Sequence, residues 1–156
     1  MTDAIRIEGT RELIRKLREY PDKTGSVLRS ATRDGMKPVQ ESAARRVPRG
    51  TKGHWYTSKG IAVQYLPPGY AKAHILRATF LSRDKQSATT IVGPHKYAWY
   101  ASKFVEFGIP SRQYSAQPWL VPAFEANQQA AIDQVGKTIG KRIRAIARKH
   151  AGQKLK

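Results

Sequence analysis

The sequence predicts an α+β fold, with a small antiparallel β-sheet flanked by N-terminal helices and one long C-terminal amphipathic helix. Three observations carry this. Near the start, Leu13, Ile14 and Leu17 fall on one helical face. Near the end, apolar residues recur at steps of three or four from Leu120 to Ile146. Between them, Ile75 to Leu81 and Ala88 to Val92 are short apolar runs bounded by turn residues, the pattern of strands. At 156 residues the chain suits one domain with a real core. We place that domain at residues 1–150, followed by a basic tail at 151–156.

The elements follow in order. Ile5 and Ile7 alternate with polar residues and suggest a short strand. Thr10 is suited to N-cap a helix running to about Tyr20, which Pro21-Asp22 then breaks. A second helix is predicted from about Asp22 to Arg46, with Val27, Leu28, Ala31, Val39 and Ala43 at helical spacings. Gly35 and Pro38 interrupt it. An interior proline costs about 3 kcal/mol, so a kink or two shorter helices are expected there. Pro48 ends the element.

Residues 49–73 are rich in Gly, Pro, Lys and Tyr, including Gly50, Gly53, Gly60, Pro67-Pro68 and Gly69. Apart from a short strand at Ile61 to Val63, a long protruding loop is expected. Loops of that length inside a compact domain are usually functional or disordered. The two strands that follow are joined by Ser82 to Gln86 as a hairpin, and Gly93-Pro94 ends the second. Tyr97 to Phe107 reads as a packed aromatic element. Gly108 is its natural stop, because glycine alone enters positive φ cheaply. Pro118 and Pro122 sit where a helix can begin.

The last helix is predicted to run from Pro118 to about His150, roughly 50 Å if straight. Its stripe is Leu120, Phe124, Ala131, Val135, Ile139, Ile143 and Ile146. Gly136 and Gly140 weaken its middle by about 1 kcal/mol each. Their spacing suits close helix packing or a hinge. The helix is too long for a domain of this size to cover, so Lys137 to Lys149 is expected to reach another subunit or DNA.

Charge is extreme: 29 Lys and Arg against 11 Asp and Glu, net +18. From Arg49 to Lys103, Asp84 is the only acid among nine basic residues. From Gly136 to Lys156 there are eight basic residues and no acid. Such a surface is drawn to nucleic acid or an acidic partner, the plain alternative being solubility. Cysteine is absent, which excludes disulfides and thiolate metal sites. No apolar run approaches the ~20 residues that span a bilayer. The N-terminus lacks a signal-peptide core, so a soluble protein working where it is made is expected.

Catalytic patterns are missing from the sequence. His54, His74, His95 and His150 show no metal-ligand spacing. There is no phosphate loop, dinucleotide fingerprint or nucleophile elbow. A nuclease needs clustered carboxylates for Mg²⁺, and the central basic region offers only Asp84 and Glu106. No enzymatic activity, cofactor or metal is expected. Glu106, inside Phe104-Val105-Glu106-Phe107, is expected to be at least partly buried, and a buried carboxylate must be paired. Its partner lies within the fold, as an ion pair or helix-end contact, or in another subunit. Trp55, Tyr56, Tyr65 and Tyr70, interleaved with Lys, stack on bases or anchor a loop or an interface.

Tyr97-x-x-Tyr100, then Phe104-Val105-Glu106-Phe107-Gly108, then Gln117-Pro118-Trp119-Leu120-x-Pro122-Ala123 resembles the signature of the tail-completion, head–tail joining proteins of long-tailed bacteriophages. Ile5-Arg6-Ile7-Glu8-Gly9 before a Leu-rich helix is similar to that family's opening. Val47-Pro48, Thr51 and Gly53 resemble its turn, and Leu76 to Phe80 its next strand, with residues 54–73 inserted between. The resemblance implies a structural virion protein of the neck or tail, made in the host cytoplasm. It implies a hexameric ring that completes the tail and joins it to the DNA-filled head. Its partners would be other copies of itself, a tail terminator or tail tube protein, a neck connector or stopper protein, and double-stranded DNA in the lumen.

The expected interface residues are Tyr97, Tyr100, Phe104, Glu106, Phe107, Gly108, Gln117, Pro118, Trp119, Leu120, Ile139 and Ile143. Lys137, Lys141, Arg144, Arg148 and Lys149 are expected to face DNA or an acidic partner. The alternative function is a free basic nucleic-acid-binding protein, which explains the charge but not the two aromatic motifs.

Overall fold

The computed structural model describes residues 21–153. The expected strand at Ile5 and Ile7, the helix from Thr10 to Tyr20 and residues 154–156 of the basic tail lie outside the described residues. The fold is α+β, as the sequence predicts. Its strands form two separate two-stranded antiparallel sheets where one was expected. The described chain divides into two compact units, one of residues 21–35, 79–90 and 129–153, the other of residues 36–78 and 91–128.

In the first unit, helix α1 (Pro21–Gly35) packs on the last helix, α6 (Gln128–Gln153). Val27 and Ile143 are buried together, with Leu28, Ile139 and Ile146 packed around them. Burying an aliphatic side chain of this size is worth about 1.5–3 kcal/mol, so this seam holds the unit. Approach is close at the end of α1, where a Cβ on Gly35 would meet Val135 Cγ2 at 2.3 Å. Of the two isoleucines expected at a subunit interface, Ile143 is buried against α1 and Ile139 is half-buried beside it. Gly136 and Gly140 sit in unbroken helix, and among the described residues nothing lies within 4 Å of where a Cβ would be, so neither is a packing seam between described elements.

The first unit also holds the turn between β3 (Ile75–Leu81) and β4 (Ala88–Pro94), the hairpin read from the sequence. Thr79 Oγ1 and Thr90 Oγ1 pair across it at 2.9 Å. Ser82 N–H donates to Ser87 O, and Lys85 N–H to Ser82 O. Asp84 accepts the Ser82 hydroxyl and the Gln86 N–H. These bonds, the Ser82 hydroxyl first, hold its carboxyl below the usual pKa.

In the second unit, α2 (Lys37–Arg46) begins two residues after α1 ends, with Met36 between them and Pro38 in its first turn. The interruption at Gly35–Pro38 thus separates two helices. Pro38 is tolerated where the N–H it lacks has no intrahelical acceptor. Val47 ends α2 with ψ 128°, the extended backbone a residue before proline prefers.

Residues 49–73 are mostly not loop. They form a hairpin of β1 (His54–Ser58) and β2 (Ile61–Leu66), then the single-turn helix α3 (Tyr70–Ala73). Lys59 and Gly60 both have positive φ, 50° and 79°. That is the two-residue turn whose twist matches paired strands.

After β4 come α4 (Lys96–Phe107), a 3₁₀ turn (Pro110–Arg112) and α5 (Leu120–Glu125). The core of this unit gathers Val39, Ala43, Leu66, Ile75, Val92, Ala98, Trp119 and Ala123, with α2 packed on α5. The single helix expected from Pro118 to His150 is two helices broken at Ala126–Asn127. Asn127 closes α5 through its side-chain amide, which donates to Ala123 O at 2.8 Å. Its own N–H turns to Phe124 O.

Candidate assembly interface

The segment from Val105 to Val121 is a clasp. Helix α4 ends at Gly108, whose N–H still donates to Phe104 O. Gly108 has φ 72° and ψ 179°, a region essentially reserved for glycine. A Cβ there would meet Tyr114 O at 2.6 Å. The chain then turns back, and Ile109 and Tyr114 exchange both backbone hydrogen bonds. Gln117 N–H donates to Val105 O at 2.8 Å. This brings the start of α5 onto Glu106.

Glu106 is 6% exposed. Its Oε2 accepts the N–H groups of Trp119 at 2.7 Å and Leu120 at 2.9 Å, and its Oε1 accepts that of Val121 at 3.0 Å. The first N–H groups of a helix have no intrahelical acceptor, and a carboxylate there also opposes the helix dipole favourably. Of the partners left open by the sequence, the helix-end contact is the one formed, with three backbone amides in place of an arginine. Trp119, 2% exposed, is locked beneath. Among the described residues, Trp119 Nε1 and Ser102 Oγ are buried polar atoms with no protein partner. The residues Trp119 and Ser102 both border one open groove with Trp99, Phe107 and Val121.

Helix α4 is turned inside out. Its buried face is Ala98, Ser102 and Glu106, while Trp99, Tyr100 and Phe107 are more than half exposed. Tyr100 meets Phe104 edge-on at 4.5 Å, and the Lys103 ammonium lies 5.6 Å from the Trp99 ring. Large aromatics left out of the core across one helix face mark an interaction surface.

Of the other residues singled out from the sequence, Tyr97 is half-buried between Tyr56 and His95, each ring centroid 4.9 Å away. Gln117 and Pro118 are exposed, and Leu120 is half-buried. Lys137, Lys141, Arg144 and Arg148 are all exposed on α6. The side chain of Lys149 lies outside the described set. Thus the Tyr97–Leu120 residues fall together in the second unit, whereas Ile139 and Ile143 belong to the core of the first.

Two further features go beyond the aromatics that the sequence singles out as stacking, loop or interface anchors. One is the hairpin surface, where Trp55, Ile61, Val63 and Tyr65 are exposed. Trp55 and Tyr65 are paired across the strands with centroids 5.4 Å apart. The alternation of Ile61, Val63 and Tyr65 was the available signal. The other is a knot of rings in which Tyr70 stacks on His74 at 3.9 Å and its hydroxyl bonds His95 Nδ1 at 3.2 Å. No group of residues suited to a metal is found among the described residues. No described helix is long and apolar enough to cross a membrane.

A protein-family model described as "HK97-gp10_like: Bacteriophage HK97-gp10, putative tail-component" matches residues 11–108, well over half of the chain. The match runs through the Phe104–Gly108 motif and stops at the glycine that ends α4. No curated protein and no solved structure matches the chain.

Proposed function

The chain belongs to the HK97-gp10-like family of bacteriophage tail components, and from that premise we propose that its copies form a ring at the joint between head and tail. There the ring completes the tail and joins it to the DNA-filled head. The protein acts by assembly and does no chemistry. The observation that carries this reading is the exposed aromatic face of α4. Trp99, Tyr100 and Phe107 stay outside while Ala98 and Ser102 go in. A helix that buries its small residues and presents its large ones has its apolar surface arranged for a neighbour. The Glu106 clasp holds that helix and α5 as one rigid piece, so the surface is formed before the partner arrives.

The cationic row on α6 supports the second part of the reading. Lys137, Lys141, Arg144 and Arg148 are exposed on a helix whose isoleucines are already packed. In a ring these charges face DNA in the lumen or an acidic neighbour. The same row favours the second reading, a free nucleic-acid-binding protein. A gel-shift titration separates the two. A dedicated binder holds duplex DNA tightly and loses it steeply with salt, whereas a neck component binds it weakly. Electron microscopy of the purified protein and of isolated tails tests the proposal directly. Rings, alone or seated at one end of the tail, are the expected image. Tails lacking the protein at both ends contradict it.

A further inference from the structure

We propose that the β1–β2 hairpin of one copy docks in the groove beside α5 of the next copy, with Ile61 and Val63 in the groove and Lys59 against Glu125. The inference rests on the ring reading and names the surfaces that make the ring.

The hairpin carries large apolar side chains that stand exposed among the described residues. Residues opposite one another across paired strands share a face, and every second residue along a strand returns to it. The register pairs Trp55 with Tyr65 and Ser58 with Ile61. Trp55 and Tyr65 therefore lie on one side, and Ser58 and Ile61, past the irregularity between Tyr56 and Thr57, on the other; next to the turn Ile61 is 70% and Val63 50% exposed. An isolated two-stranded hairpin is marginally stable in water. A second surface against the exposed Ile61 and Val63 supplies what the short strands lack.

The groove is in the same unit of the chain and has about 420 Å³ of space. Its walls are Met36, Val39, Val92, Val121 and Phe124, and Glu125 is the one ionisable residue among the described residues that line it. Val121, Phe124 and Glu125 are all exposed, so the groove is open to a partner.

Charge selects the partner. From Arg49 to Leu66 the chain carries Arg49, Lys52 and Lys59 and no acid, with Lys59 in the turn next to Ile61. Glu125 at the groove gives Lys59 a counter-charge beside an apolar slot. Hairpin and groove are different surfaces of one chain, so each copy offers both. A contact of this head-to-tail kind closes into a ring when its rotation permits.

The chain has no cysteine, which makes the test clean. Ile61→Cys and Val121→Cys are prepared as separate full-length proteins, tagged to differ in mass. Both positions are exposed, so neither change disturbs the core. The two are mixed, oxidised and run on a non-reducing gel. The expected result is a mixed-mass disulfide dimer many-fold stronger than the same-mass dimers each protein makes alone. Light scattering of the unaltered chain is measured alongside. Oligomers without the mixed dimer overturn the docking and leave the ring reading standing. Monomers at every concentration, with no mixed dimer, overturn the docking, whereas the ring reading itself falls only if tails lack the protein at both ends.

Discussion

Glu106 Oε2 accepts the backbone N–H of Trp119 at 2.7 Å, across thirteen residues of chain and with both residues buried. With the bonds to Leu120 and Val121, this one carboxylate fixes where α5 begins. Removing it leaves three amide groups without an acceptor, at least one of them fully buried. Hydrogen bonds to a charged group are worth about 1.5–3 kcal/mol each, so Glu106→Ala should destabilise the protein by about 3 kcal/mol or more. Glu106→Gln keeps the shape but loses the charge and turns a donor toward the amides, and should cost less. Denaturant midpoints of the two variants check both the size and the order.

The clasp was largely legible in the sequence, and the reasons are local. Gly108 announced the end of α4 because a positive φ needs glycine. Glu106 announced burial because aromatics surround it. The hairpin at 54–66 was hidden. Its turn is Lys59-Gly60 rather than an Asn-Gly pair, and the surrounding prolines and glycines read as loop. The break at Asn127 was hidden too, since the apolar stripe continues in phase on both sides of it. A helix stripe does not say what covers it, so the stripe of Ile139 and Ile143 alone does not distinguish a partner within the chain from one outside it. Here α1 packs on it, through Val27 and Leu28.

Gly108→Ala tests the turn independently of Glu106. Backbone held in a glycine-only region costs about 1–3 kcal/mol for another residue. The new Cβ would also press on Tyr114 O, a backbone atom that cannot swing away. A loss of at least about 2 kcal/mol in unfolding free energy is expected.

The glycines of α6 should behave in the opposite sense. With no described atom within 4 Å of a Cβ at Gly136 or Gly140, alanine at each should stabilise by up to about 1 kcal/mol. A raised melting temperature with unchanged assembly is the expected pair of results. A raised melting temperature with assembly lost would mean that a neighbouring copy uses this seam.

Charge reversal of Lys141, Arg144 and Arg148 to Glu should leave the fold intact. These side chains are exposed, and surface charges contribute little to stability. The circular dichroism spectrum should be unchanged while the joining of tails to filled heads falls. Normal yields of infectious particles from the triple variant would reduce the charge to a solubility feature.

The central claim is that the outward aromatic face of α4 is buried when the protein takes its place in the particle. Hydroxyl-radical footprinting of Trp99, Tyr100 and Phe107, in the purified protein and in assembled tails, measures that directly. All three should react readily in the free chain, as their exposure requires, and be protected several-fold in tails. Equal reactivity of the three in both states would contradict the account.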